Sequence, residues 1–410
     1  MNRAIQSKQF NPSSHENLLN PFPLYRAMQA EGPVHWSPEA MGWFITRHAD
    51  VAACFRDPRL SADRTRFFES QVPGDTEIVK DFVRYVRLQV AMKDGAEHVR
   101  LRRQTNPAFA ALVIEAWRPA IRRIMEMLVD QVQPLGRMDL VKAISYELPS
   151  LFIAEFLGIP AEARERFRDW STRLAEYASP PVGVDILTLA RRANDAMVEF
   201  GDFLAGIIEA RRRVPGEDVL SRMILAQEEG GMTPEELVAN ALLIVVGGHL
   251  TTTDQLTNTV NDLLTHPDQL QKLRENPGLV KSAVEESLRF SPAVPCHFRI
   301  ALEPLTLHGQ TIPAGSPVFL GMAAANRDPE VFPEPDRYDI SRDLRGQKLM
   351  TFAFGPHQCP GAGLARRELE VALQVLLERL PGLRLDEEQP PQLKCSSLLF
   401  RGFTSFPVRW

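Results

Sequence analysis

The sequence predicts a mainly α-helical chain with small β-sheets, folded as a single domain over residues 1–410. Three observations carry this. Helical periodicity dominates residues 111–225, a long apolar helix opens at a strong N-cap around Thr233, and short β-type runs bounded by turn formers follow Arg289. A chain of 410 residues could form two or three domains by length alone. No Gly/Ser linker, charge block or repeat divides it, so one domain is expected.

The elements are read in order. Pro23 to Ala30 forms an early helix, and 34–36 and 43–46 are short strands rich in aromatic and β-branched residues. The helical stretch 111–225 breaks near Gly136, near Gly158-Ile159-Pro160 and at Ser179-Pro180-Pro181. Thr233 is an N-cap, with Pro234 at the first helical position and Glu236 completing a capping box. The apolar pattern then persists to Leu264, where His266-Pro267 ends it. About thirty residues rising 1.5 Å each give a helix of roughly 45 Å, long enough to cross a domain. A further helix covers 279–288 and stops before Ser291-Pro292. Strands follow at 305–307, 311–315 and 318–320, the first two joined by a tight turn at His308-Gly309-Gln310. Helix returns over 362–380.

Composition excludes several classes. Hydrophobic content of 44% and charge of 24% are ordinary for a globular protein with a large core. A net charge of −5 gives no reason to invoke nucleic acid. The four cysteines have neither metal-site spacing nor a disulfide framework. The first twenty residues are polar and no run approaches eighteen apolar residues, so neither a signal region nor a membrane span is expected. A cytoplasmic monomer is the expectation.

Cys359 carries the chemistry. It lies in Phe352-Ala353-Phe354-Gly355-Pro356-His357-Gln358-Cys359-Pro360-Gly361, just ahead of a helix. Helix N-terminal N–H groups favour a thiolate there, and Gly355 and Gly361 let the backbone pass close to something large and flat. Such a thiolate can act as a nucleophile or as an axial ligand to haem iron. A buried, inert cysteine explains the position alone equally well. Gly247 and Gly248 interrupt the long helix at a cost of nearly 2 kcal/mol in propensity, which favours a functional reason over chance. His98 and Arg102, spaced i,i+4, place two cations on one helical face, though a solvated basic face has the same signature.

Together and in this order, these motifs resemble the cytochrome P450 superfamily over essentially the whole chain. The loop matches its pattern Phe-x-x-Gly-x-basic-x-Cys-x-Gly, and Glu286-Ser287-Leu288-Arg289, Pro335-Asp336-Arg337-Tyr338 and Leu364-Ala365-Arg366 match further signatures. The resemblance implies haem b, with Cys359 as iron ligand in a loop shaped by Phe352 and Gly355. It implies that His98, Arg102, Arg299 and His357 hold the propionates. Glu286, Arg289 and Arg337 would form a buried charge triad. Gly247 and Gly248 would open the long helix over the iron, with Thr251 beside bound oxygen. Two positions depart. Ala353 stands where the family commonly has glycine, costing roughly 1 kcal/mol if φ is positive there. Leu250 stands where the family has an acid that relays protons. Substrate or ordered water, Asp254 or His249, or a reaction with a smaller proton demand could each make up for it.

The expected reaction inserts one atom of dioxygen into a C–H or C=C bond of a small organic molecule, in secondary-metabolite biosynthesis or catabolism. The substrate is free or tethered to a carrier protein. Residues 67–92, 175–187 and 292–297, which line the family's substrate pocket, suit an apolar or amphipathic molecule. Electrons would come from a ferredoxin and a ferredoxin reductase, docking where Arg102, Arg103, Arg366 and Arg367 cluster. Atypical haem-thiolate chemistry (coupling, desaturation, nitration or peroxide-driven oxidation) is the alternative within the class. Outside it stand a Cys359–His357 hydrolase and a non-catalytic binding protein.

Overall fold

Thr233 caps the helix that organises the molecule. Its side chain accepts from the Glu236 N–H at 3.1 Å while Glu236 Oε2 accepts from the Thr233 N–H at 2.8 Å, the reciprocal pairing read from the sequence. The resulting central helix spans Pro234–Leu264 without a break, straight through Gly247 and Gly248. In this computed structural model, residues 10–72, 74–178, 185–216, 218–395 and 397–410 are described. The break expected at Ser179-Pro180-Pro181 lies outside them.

The central helix packs against the helices Lys80–Leu88, Glu147–Phe156, Ile186–Arg213, Val280–Phe290 and Ala362–Arg379. It is long and apolar enough to cross a membrane, but 61% of its most apolar window is buried by these neighbours. Among the described residues it is the one such helix. The break at Gly136 (φ +68) is real and leads into a strand, Arg137–Asp139. That strand pairs with Pro407–Arg409, which also pairs with Arg384–Leu385. The sequence pattern did not reveal these C-terminal strands.

A five-stranded sheet lies at the other side of the fold, ordered Val34–Ser37, Gly42–Ile45, Pro317–Leu320, His297–Ala301, Leu60–Ser61. The expected hairpin joins Leu305–Leu307 to Gln310–Ile312 through His308 and Gly309, both at positive φ, as a tight two-residue turn requires. Within the large sheet, alternation sets function: Phe298 faces the packed aromatic layer with Phe319, while His297 and Arg299 face the other way.

The charge triad differs from expectation. Glu286 and Arg289 are both fully buried and paired through two hydrogen bonds of 2.8 Å. The third member is Arg342, whose Nε donates to Glu286 Oε1 at 3.1 Å. Arg337 is 58% exposed, pairs with Glu334 at the surface, and offers the cluster only its carbonyl. The Arg337 guanidinium lies outside the cluster, and the Arg342 guanidinium reaches both Glu286 and the Arg337 carbonyl. A second bridge ties this region to the cysteine loop. Asn326 donates to Thr351 Oγ1 at 2.8 Å, and Thr351 donates to the Leu288 carbonyl at 2.6 Å.

Candidate functional site

The cysteine loop is closed by its own backbone. The Ala353 N–H donates to Met350, Gln358 to Gly355 and Cys359 to Phe352, the last at 2.9 Å. Ala353 adopts φ +56, the left-handed region where a Cβ is penalised, and Gly355 adopts φ +77. The missing Cβ of Gly355 makes room for Arg56 and Phe55 rather than for a ligand, and Gly355 does not line the cavity. Phe352 does line it, with the Arg366 guanidinium 4.6 Å from its ring centroid on the other side.

The Cys359 side chain is exposed to a cavity that it shares with Gly361, Leu364 and Phe352. Burial pushes its thiol up, while the N–H groups of Gly361 and Ala362 and the charges of Arg102 and Arg366 pull it down. Burial is the larger effect. Burial thus works against the thiolate expected from the sequence, and a cation bound at sulfur would favour it.

Across the cavity, His98, Arg102, Arg299 and His357 converge as expected, and Arg64 and His297 join them. Burial, then neighbouring positive charge from His357 and Arg102, pushes His98 down to about 4. Burial likewise brings Arg299 to about 10 and Arg64, beside Arg299, to about 9. Among the described residues, Arg64, Arg102 and Arg299 have no ion-pair partner within the cluster. Asp63 acts on Arg64, and the carboxylate acting on both Arg64 and Arg299 is that of Asp94. Burial opposes its ionisation, but hydrogen bonds from His357, Ser61 and the Ala62 N–H hold it at about 2. Arg64 and Arg299 are buried without an ion pair among the described residues, a costly arrangement unless an anionic group sits beside them. Arg64 escaped the sequence reading because no motif carries it; pairing of Leu60–Ser61 with His297–Ala301 brings it there.

His357 turns away from any role as a base for Cys359. Its Nε2 lies 3.7 Å from Asp94 and its ring centroid 4.0 Å from that of His98. The Cys–His hydrolase arrangement is thereby absent among the described residues.

On the central helix, Asn240, Leu243, Ile244, Gly247, Gly248, Thr251, Thr252 and Gln255 form one stripe along the cavity. Gly247 leaves open space where a Cβ would stand, whereas Gly248 makes room for Ile153 at 2.6 Å. The glycines thus widen the cavity without breaking the helix. Thr251 donates to the Gly247 carbonyl at 2.7 Å. Leu250 lies off the stripe. The two candidate replacements for its missing acid also point elsewhere. Asp254 is buried against Lys394, 2.5 Å away, and His249 meets the Tyr146 carbonyl at 3.1 Å. The four arginines expected to form a free basic face do not: Arg366 is paired with Glu285, Arg367 with Glu115 and Glu370, and Arg102 is turned to the Gln358 carbonyl.

A loop cysteine sharing a cavity with a glycine-bearing helix and with the buried Arg64 and Arg299 agrees with comparison to known proteins. Residues 171–402 match the family model for cytochrome P450. Vitamin D(3) 25-hydroxylase of Pseudonocardia autotrophica is 38% identical over 95% of this chain and 93% of its own length. The chain belongs to the cytochrome P450 family. Cytochrome P450 monooxygenase PikC of Streptomyces venezuelae is 34% identical over 95% of this chain and 91% of its own. Among solved structures, P450BioI in complex with hexadec-9Z-enoic acid ligated acyl carrier protein superposes with a TM-score of 0.87 at 31% identity, covering 97% of this chain and all of that one. As a P450, the protein is an oxygen-incorporating oxidoreductase with haem b as its cofactor, bound through a cysteine thiolate. The cavity's donor chemistry fits that group: a sulfur in its lining and a set of cationic donors, Arg64, Arg102 and Arg299, suited to carboxylates.

Proposed function

We propose that this P450 hydroxylates or epoxidises a small, largely apolar natural product or fatty-acid-like molecule, with Cys359 as the iron ligand. The observation that carries the assignment is the pairing of the Cys359 sulfur with the unpaired Arg64, Arg102 and Arg299 in one cavity. His98, Arg102, Arg299 and His357 hold the propionates, with Arg64 as a fifth donor, and Asp94 keeps His357 oriented. Haem, when bound, supplies dioxygen activation at a thiolate-ligated iron. The chain's own residues do the rest. Gly247 leaves space above the haem face, and the Thr251 hydroxyl, anchored on the Gly247 carbonyl, offers a hydrogen-bonding atom at that space. Val90, Leu243, Ile244, Val294 and Ala293 supply an apolar wall that excludes water and accepts hydrocarbon.

Names among the relatives include a vitamin D hydroxylase and a polyketide biosynthesis P450, which supports a role in secondary metabolism. The acyl-carrier complex of P450BioI supports a carrier-tethered substrate as one form the substrate can take. Electrons are supplied by a ferredoxin and its reductase; the ion pairs on Arg366 and Arg367 make Arg103, which is exposed, the stronger anchor for such a partner. The test is the reduced, carbon-monoxide-treated protein. A Soret band shifted far to the red establishes haem thiolate, and its absence would sink the assignment. A spin-state titration with apolar acids, macrolactones and steroids then reads the substrate class.

A further inference from the structure

Asn240 interrupts the apolar run 237–246 of the central helix, and it is 1% exposed. A buried amide is costly unless its groups are paired, and here they are. Its Nδ2 donates to the Glu236 carbonyl one turn back at 2.8 Å and reaches the Leu88 carbonyl at 3.4 Å. Its Oδ1 accepts from the Val90 N–H at 2.9 Å. An N–H on one side and two carbonyls on the other admit a single orientation of the amide. A leucine here would serve the helix and its packing equally well, so the amide answers to the segment it holds.

The two backbone groups it takes from that segment flank Gln89, where the chain leaves the helix Lys80–Leu88 and enters the tight turn Val90–Met92. Val90 and Ala91 line the cavity, as do Asn240 itself and, one turn along the same helical face, Leu243 and Ile244. Among the described residues, no other side chain hydrogen-bonds to residues 88–92 from outside the segment. The bonds from Gln89 to Val86, Met92 to Gln89 and Lys93 to Val90 are local. The wall at the other end of the stripe is held differently. Gln255 accepts from the Ala293 N–H at 2.9 Å, but Asn258 also holds the Ser291 carbonyl and the Arg401 N–H holds that of Ala293. That wall has several tethers, whereas the Val90 wall hangs on one side chain.

We propose that Asn240 is a positioning residue for substrate specificity: by pinning the break at Gln89 it fixes one end wall of the cavity and sets the length of molecule the cavity accepts. This rests on the haem-thiolate reading of the cavity. Asn240 precedes the open space at Gly247 by two turns, a rise of about 10 Å along the helix. The pinned wall therefore stands where the far end of an elongated apolar molecule would reach. Without Asn240 the Val90 N–H loses its acceptor, the turn is free to retreat, and longer molecules enter.

The experiment compares wild-type holoprotein with Asn240→Ala, Asn240→Leu and Asn240→Asp. Spin-state titration reads the dissociation constants of a homologous series of straight-chain fatty acids. Hydrogen–deuterium exchange reads protection of the Val90 amide. Wild type is expected to show one preferred chain length and a protected Val90. Asn240→Ala and Asn240→Leu should both speed exchange at Val90 and move the preference to longer chains. Each should bind the wild-type optimum about tenfold more weakly, equivalent to about 1.4 kcal/mol. Asn240→Leu separates release of the wall from added space, because leucine fills the place of the amide. Asn240→Asp, which when protonated keeps an acceptor for Val90 and a donor for Glu236, should retain the wild-type preference. An unprotected Val90 amide in the wild type, or a wild type with no preferred length, overturns the proposal even where no variant folds. So does a preference unmoved in Asn240→Ala and Asn240→Leu, or a loss equal at every chain length, as a merely structural amide would give. The reduced carbon-monoxide spectrum separates the two levels of inference. A normal thiolate Soret with an unmoved preference refutes Asn240 alone, whereas no such Soret in the wild type refutes the reading beneath it.

Discussion

Replacing Arg342 with alanine tests the corrected triad most directly. Arg342 donates from Nε to Glu286 Oε1 at 3.1 Å, and from its terminal nitrogens to the carbonyls of Pro333, Glu334 and Arg337 at 2.5, 3.0 and 2.8 Å. Glu286 is fully buried. Breaking one member from a buried ionic cluster costs roughly 3–5 kcal/mol. Arg289 still holds Glu286 by two bonds, and the Asp339 N–H donates to it at 3.0 Å, so the expected loss sits at the lower end, about 3 kcal/mol. Arg337→Ala removes a 58% exposed surface pair, for which less than about 1 kcal/mol is expected. Arg289→Ala, which strips Glu286 of its bidentate partner and takes the side-chain donor from the Asn326 and Pro335 carbonyls, should yield little soluble holoprotein. Because a cofactor-bound protein need not unfold in two states, the assay is the order of urea midpoints together with haem bound per polypeptide. The reasoning requires the order wild type, Arg337→Ala, Arg342→Ala, Arg289→Ala. An Arg337→Ala loss equal to or above that of Arg342→Ala would refute it.

Other consequences can be checked with the same protein. Cys359→Ser should leave a folded chain that lacks the thiolate Soret signature and turnover, since oxygen ligands push less electron density onto iron than a thiolate; wild-type turnover in that variant would show the ligand misassigned. Leu250→Glu should speed oxygen activation on generic substrates and make Thr251→Ala more damaging than it is in the wild type; unchanged coupling on a pure hydrocarbon would place the relay elsewhere. Glu368, buried on the helix Ala362–Arg379, governs a pH window. Its folded pKa, about 8, lies above the ordinary 4.5, so the folded state binds the extra proton between those values and stability falls as pH rises across them. At about 1.4 kcal/mol per pH unit this amounts to at most about 5 kcal/mol. Glu368→Gln should flatten the urea midpoint between pH 5 and 8, and an unchanged slope would contradict the buried-acid assignment.

Much of this was legible in the chain itself. Thr233 and Glu236 declare the start of the central helix because capping is local, and His308-Gly309 declares its turn for the same reason. The cysteine loop was readable down to the left-handed Ala353. What escaped depends on distant segments. Arg342 replaces Arg337 because the course of the loop between them brings the later guanidinium to Glu286, and pattern matching sees only the nearer one. Arg64 reaches the cavity through strand pairing that no spacing encodes. Arg366 and Arg367 read as free charge, but Glu285 and Glu115, distant in sequence, neutralise them. Glu368 did leave a trace, a carboxyl on the apolar stripe of Leu364, Val371 and Val375, where an acid is out of keeping.

The cationic rim has a consequence for how the protein exists in a cell. Arg64 and Arg299 are buried side by side, and the charge of Arg299 opposes that of Arg64 until an anion arrives. A ligand that binds only the folded state adds stability in proportion to the logarithm of its free concentration over its dissociation constant. Haem binding is therefore expected to raise the folded fraction of this chain. Neutralising the rim by Arg64→Gln would uncouple the two: an apoprotein that accumulates without haem, with weaker grip on it once supplied.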